Sequence, residues 1–207
     1  MTVAFVTDGT NEFSRKLCRI LVRRGFSISF TYRGLKNEAH AALSEIESLG
    51  ARAICLPVED FSASELSAAV IETAERLGGI DALFYVYVHH AADKDENEEL
   101  LLDVDDKDWD DAMNRGARGF FLSSKYSLPY LVSSGCGRVA ALDIFPHHIA
   151  SLNLAEHVSS HSLRTALEYI SPELSNYGVS AIYRQISGEV DWAGIIMENT
   201  NIRDFQD

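Results

Sequence analysis

Residues 3–33, VAFVTDGTNEFSRKLCRILVRRGFSISFTYR, decide the fold. The first four form an unbroken apolar run, as expected of a short strand covered on both faces. Phe13, Leu17, Ile20 and Leu21 then recur at i, i+4, i+7 and i+8, the apolar stripe of a helix. FSISFTY, residues 26–32, is β-branched and aromatic and predicts a second strand. Strand, tight connection, helix and strand in this order make a βαβ unit, whose two strands run parallel through a right-handed crossover.

The same alternation continues outward. A helix is expected over 38–49, ended by Gly50, and a third strand over 52–56. Ser62 and Glu65 have capping-box spacing ahead of an apolar face made by Leu66, Val70, Ala74 and Leu77. Gly78 and Gly79 close that helix, and ALFYVYV, 82–88, is a fourth strand. One long helix is expected over 106–131 and a fifth strand over 139–144. A second long helix spans 154–177, which Pro172 should kink or restart and Gly178 should end. A sixth strand follows over 179–184. The expectation is α/β: one domain over 1–207, a doubly wound parallel sheet of about six strands flanked by helices. Ligands of such sheets bind beyond the strand C-termini, beside strand 1. Function therefore concentrates in the loops 7–14, 32–36, 57–61, 85–92, 143–157 and 185–195.

Composition narrows the function classes. The 207 residues are 46% hydrophobic and carry a formal charge of −13, from 31 acidic and 18 basic side chains. Such a chain opposes nucleic acid, and its acid-dense stretch 93–111 reads as solvated surface. No apolar run reaches membrane-spanning length, and MTVAFVTDGT lacks the pattern of a signal peptide. Cys18, Cys55 and Cys136 are odd in number and far apart, so they read as buried thiols of a cytoplasmic protein.

Several stretches carry a resemblance: AFVTDGTNEFSRKLCRILVRRGFSISFTYR, LGARAICLPVEDFS, GGIDALF, DWDDAMNRGARGFFLSSKYSLPYL, GCGRVAAL and SPELSNYGVSAIY. Together they make the chain similar to the short-chain dehydrogenase/reductase family. The resemblance implies a Rossmann sheet, an NAD(P) cofactor, and an Asn, Ser, Tyr, Lys tetrad for hydride transfer.

The family's residues, sought one at a time, are largely replaced. The TGxxxGxG phosphate loop reads Thr7-Asp8-Gly9-Thr10-Asn11-Glu12-Phe13-Ser14, so the three pattern glycines fall on Asp8, Glu12 and Ser14. At about 5 Å and an effective dielectric of about 20, each carboxylate facing a phosphate costs roughly 3 kcal/mol. Glu12 would instead satisfy the helix N-terminus internally. Arg33 and Glu59 stand near the positions where the family reads the adenosine end, as vestiges. Tyr85 and Tyr87 would fill the space of the nicotinamide ribose. The expectation from these residues is that no cofactor binds. The alternative is NADP or NAD held in an unusual mode.

The tetrad is also replaced. Its Asn aligns with Gly116 and its Ser with Asp143 or Ile144. Its Tyr and Lys align with Glu156 and Ser160, or after a one-residue gap with His157 and His161. No lysine follows Lys125, so no gap restores the pair. The literal match Tyr32–Lys36 lies after strand 2, away from hydride transfer. His157 and His161 also have the spacing of metal ligands, with Asp143 or Glu156 as a third. Helices carry such pairs without metal, and none is expected. His89-His90 and His147-His148 lie at the same end of the sheet.

In this family the two long helices pair across a two-fold axis. Trp109, Phe120, Phe121, Tyr126, Leu163, Leu167 and Ile170 are the corresponding interface candidates. With framework kept and chemistry lost, the resemblance narrows to the inactive partner subunits of heteromeric members. The chain would act by association, as homodimer or hetero-oligomer with a catalytic relative, through 106–131 and 154–177. The alternative is an oxidoreductase of 3-oxoacyl or 3-hydroxyacyl type in which Glu156 or His157 serves as acid.

Overall fold

The computed structural model describes residues 2–89, 101–145 and 153–187. Six parallel strands form one sheet: β1 (Thr2–Val6), β2 (Phe26–Tyr32), β3 (Ala53–Pro57), β4 (Ala82–Val88), β5 (Arg138–Phe145) and β6 (Ser180–Ser187). Their order is β3-β2-β1-β4-β5-β6, so the chain builds outward from β1 and then returns to its other side. This is the doubly wound Rossmann arrangement, with its switch point between β1 and β4. Thr7 ties that point together: its N–H donates to the Phe84 carbonyl at 3.0 Å, and its hydroxyl accepts from the Val86 N–H at 2.7 Å.

Helices cover both faces. α1 (Glu12–Arg23) and α2 (Lys36–Ser48) bury Leu17, Leu21, Ala42 and Ile46 against one face. α3 (Ala63–Leu77), α5 (Gly119–Ser133) and α6 (Leu154–Asn176) cover the other. The capping box is made as the sequence predicts, with Ser62 accepting from the Glu65 N–H and Glu65 receiving the Ser62 N–H.

Two expectations about the helices need correction. The single helix over 106–131 is α4 (Asp106–Met113) and α5, joined by a π-helical segment, Asn114–Arg118. Gly116 sits inside that segment at φ −88°, ψ −105°. A Cβ there would lie 1.7 Å from the Ser159 hydroxyl on α6, so only glycine allows α6 to approach this closely. The segment's loose carbonyls are satisfied laterally: Ser159 donates to Ala112, and the Tyr85 hydroxyl donates to Arg115. Conversely, α6 runs through Pro172 without a break. Of the cysteines, Cys18 is buried and Cys136 is exposed, so the thiols are not uniformly core residues. Among the described residues no helix is long and apolar enough to cross a membrane.

Candidate functional site

The switch point opens on the β1–α1 loop. Asp8 adopts φ +50°, a left-handed turn that favours glycine, at the first pattern position. Gly9 has no room for a side chain, since a Cβ would meet the Phe30 ring at 2.3 Å. Its N–H donates to the Thr31 carbonyl at 2.7 Å, and that of Asp8 to the Thr31 hydroxyl at 3.1 Å. Asn11, not Glu12, caps α1: its Oδ1 accepts from the Ser14 N–H at 2.8 Å, and its Nδ2 donates to the Asp8 carbonyl at 2.6 Å. Asp8 Oδ1 accepts from the Thr10 hydroxyl at 3.3 Å, and Glu12 lies exposed on the first turn.

The other end of the groove is filled by a continuous ionic network. Strand register sets Tyr87 of β4 beside Asp143 of β5, and His89 follows just beyond β4. Glu156, in the first turn of α6, receives the Tyr87 hydroxyl at 2.5 Å, His89 Nδ1 at 2.8 Å and Arg115 at 2.7 Å. His89 Nε2 meets Asp143 Oδ1 at 2.5 Å. Asp143 Oδ2 accepts from the Ser160 hydroxyl at 2.6 Å and the Tyr183 hydroxyl at 2.5 Å. Arg115 continues outward to Asp111 at 2.6 Å, and Asp111 reaches Arg33 at 2.5 Å. His89, Asp143 and Glu156 are buried, while the Arg33–Asp111 pair is partly solvated and contributes little.

At Glu156, His89 and Arg115, burial works against the charged form and is overcome by the partners. For Glu156 the His89 bond, the Arg115 charge and the bonds from Tyr87 and Arg115 win, holding its carboxyl at about 2. For His89 the hydrogen bonds and charges of Asp143 and Glu156 win, raising it above the ordinary 6.5. Arg115 is raised through Glu156, Tyr87 and Asp111. Burial raises the Tyr87 and Tyr183 phenols, and the neighbouring carboxylates add to it, so both remain O–H donors. Glu156 is thus an ionised acceptor in a saturated site, not a proton donor.

Of the alternative candidates, Asp143, Glu156 and Ser160 point into the network, whereas Ile144 is buried among the residues of the opposite face. His157 and His161 lie on the outer side of α6, where His161 Nδ1 is 2.9 Å from the His157 carbonyl. They are not brought together with Asp143 or Glu156, and no group of three potential metal ligands occurs among the described residues. His90, His147, His148 and the acidic residues 93–100 lie outside the described residues. Arg33 is no isolated charge, and both Glu59 carboxylate oxygens accept from the Gly34 N–H at 3.1 Å. Sequence reasoning missed Arg115 and Tyr183. The i, i+4 spacing of Asp111 and Arg115 was the one available local signal.

Of the interface candidates, Phe120, Leu163 and Leu167 are core residues, buried against their own chain. Trp109, Tyr126 and Ile170 are half-buried. Phe121 (51% exposed) and Tyr169 (86%) project outward. They border an open, largely apolar groove of about 890 Å³, also lined by His157, His161, Ala166 and Ile170.

A family model described as short chain dehydrogenase matches residues 2–142. The chain belongs to that family. It is 23% identical to the 3-oxoacyl-[acyl-carrier-protein] reductase FabG of Staphylococcus aureus, over 76% of this chain and 61% of that protein. It is 34% identical to human hydroxysteroid dehydrogenase-like protein 2, over 52% of this chain and 24% of that one. The chain thus spans about three fifths of the length of the FabG relative. Among solved structures, a metagenomic short-chain oxidoreductase in complex with NADP superposes with TM-score 0.79 at 16% identity, covering 95% of this chain and 89% of that one. A metagenomic blue fluorescent protein in complex with NADPH gives 0.75 at 23%, covering 88% and 72%.

Membership overturns the expectation that no cofactor binds. The family is nicotinamide-dependent, the match includes the phosphate loop, and two proteins of this fold hold NADP and NADPH. The structure shows where the contrary reasoning failed. Counting carboxylates ignored their direction: Asp8 is engaged by Thr10, and Glu12 faces solvent, where screening is strong. The Tyr85 and Tyr87 hydroxyls are bound to the Arg115 carbonyl and to Glu156. The phosphate loop keeps a left-handed turn at its first pattern position, supplied by Asp8.

Proposed function

We propose that this chain is a short-chain-dehydrogenase subunit that does not itself perform hydride transfer and acts by association with a catalytic relative. The observation that carries this reading is the Glu156–His89–Asp143 network. It commits Glu156, Asp143 and Ser160, the residues read at the tetrad's positions, to one another's partners, which supports a site without a free acid. General acid catalysis requires a group able to release a proton near the working pH, and a carboxyl held at about 2 is not one. The cofactor class is the family's nicotinamide dinucleotide, which when bound supplies a hydride carrier. The Thr7–Ser14 backbone would meet its phosphates, and Arg33 its adenosine end. Association is supported by the outer face of α5 and α6, where Phe121 and Tyr169 flank the apolar groove. The partner expected there is an intact short-chain dehydrogenase presenting its own equivalent helices.

The test is reconstitution. The chain is co-expressed with the short-chain dehydrogenases of its native host, and complexes are weighed by light scattering. A stoichiometric complex with one of them, lost on Tyr169→Asp, supports the reading. A chain that remains a monomer and alone oxidises NADPH with a 3-oxoacyl thioester replaces it with the second reading. That reading, a reductase of 3-oxoacyl type, is favoured by the similarity to FabG.

A further inference from the structure

The charge on His89 can be counted from geometry. Its two ring nitrogens face two carboxylates, Asp143 at 2.5 Å and Glu156 at 2.8 Å. A neutral imidazole has one N–H, and its other nitrogen would then oppose a carboxylate oxygen lone pair to lone pair. The remaining contacts of both carboxylates come from the donors Tyr87, Arg115, Ser160 and Tyr183. The cluster also balances only with the proton in place: Arg33, Arg115 and His89 offset Asp111, Asp143 and Glu156. Without it, two buried carboxylates would face one ring across β4, β5 and α6.

We propose that His89 is a buried imidazolium at neutral pH that latches α6 to β4 and β5, and that losing this proton on the alkaline side releases the latch. The titratable and charged groups around it are Tyr87 from β4, Asp143 from β5, Glu156 from α6, Arg115 and Asp111 from the α4 side, and Tyr183 from β6, with His157 on the outer side of α6 acting only through its charge. Phe145 stacks on the ring at 4.3 Å and Tyr87 packs edge-on at 4.5 Å, which keeps water away. A group raised in the folded state stabilises fully below its unfolded value, near 6.5, and that contribution disappears as pH rises through the higher folded value.

The experiment is a long-range proton–nitrogen correlation on 15N-labelled full-length protein at pH 7, with thermal unfolding from pH 6 to 9. His89 is distinguished from the other six histidines by its contact to the Phe145 ring. Both His89 nitrogens are expected in the protonated range. The Tm is expected to fall by about 3–5 °C per pH unit above about 6.5 and to level off once the folded-state His89 has lost its proton. His89→Gln should remove that dependence, lowering Tm at pH 6.5 while flattening the alkaline limb. A neutral His89 tautomer at pH 7, or an equal alkaline limb in wild type and His89→Gln, overturns the proposal. Should the variant not fold, the wild-type nitrogen shifts alone decide.

Discussion

At the β1–α1 end of the groove, a backbone is retained under altered side chains: Asp8 holds the φ +50° turn of a glycine, and Gly9 packs on Phe30 without space for a Cβ. At the β4–β5–α6 end, the backbone positions are also retained, but the side chains have closed on one another through Glu156, His89 and Asp143. The phosphate site is built mainly from main-chain geometry, so residue changes there leave its shape standing. Proton transfer is built from side chains with particular acidities, so residue changes there bear on it directly. On the proposed reading, family membership and a replaced tetrad are compatible in one chain.

The sharpest way to break this comparison is to open the closed end. Arg115→Met leaves the buried Glu156 with Tyr87 and His89 alone and its second oxygen without Arg115, and breaking such a pair costs about 3 kcal/mol. Urea denaturation should show that loss, and a change under about 1 kcal/mol would mean the network is not the keystone of this end. Next comes acid. Glu156 is depressed to about 2, so its contribution is complete above the ordinary 4.5 and is lost as pH falls toward 2. On the order of 3 kcal/mol should vanish across that window, and Glu156→Gln should flatten it.

How much of this was legible in the sequence follows from where each signal resides. β2 and β4 have the bounds that their composition indicates, and the Ser62 capping box forms as spelled, because these are local matters of propensity and spacing. The break between α4 and α5 was not legible, because the close approach of Ser159 to Gly116 comes from a different helix. The His89 network was equally hidden: it needs β4, β5, β6, α6 and the π segment to meet, and no spacing encodes that. The cofactor reading went astray for a related reason, since sequence supplies the number of carboxylates but not their direction.

Gly116 offers the third test. Gly116→Asn drives a Cβ into the Ser159 hydroxyl and should destabilise by about 2 kcal/mol. Adding Ser159→Ala should recover part of that, less the lost bond to the Ala112 carbonyl, and a thermal double-mutant cycle reads the coupling. Additive effects would place the strain elsewhere. The smallest effect is expected at the open end. Asp8→Gly relieves a left-handed aspartate and should gain about 0.5–1 kcal/mol in stability. The same variant should bind NADPH more tightly by calorimetry, and weaker binding would mean that the Asp8 side chain itself holds the nucleotide.

The central claim is that the closed end transfers no proton. It is tested most directly by following NADPH oxidation by the purified chain with a 3-oxoacyl thioester, before and after Glu156→Gln. The account predicts no turnover above the uncatalysed rate in either protein. Turnover by the wild type that disappears in the variant would contradict it.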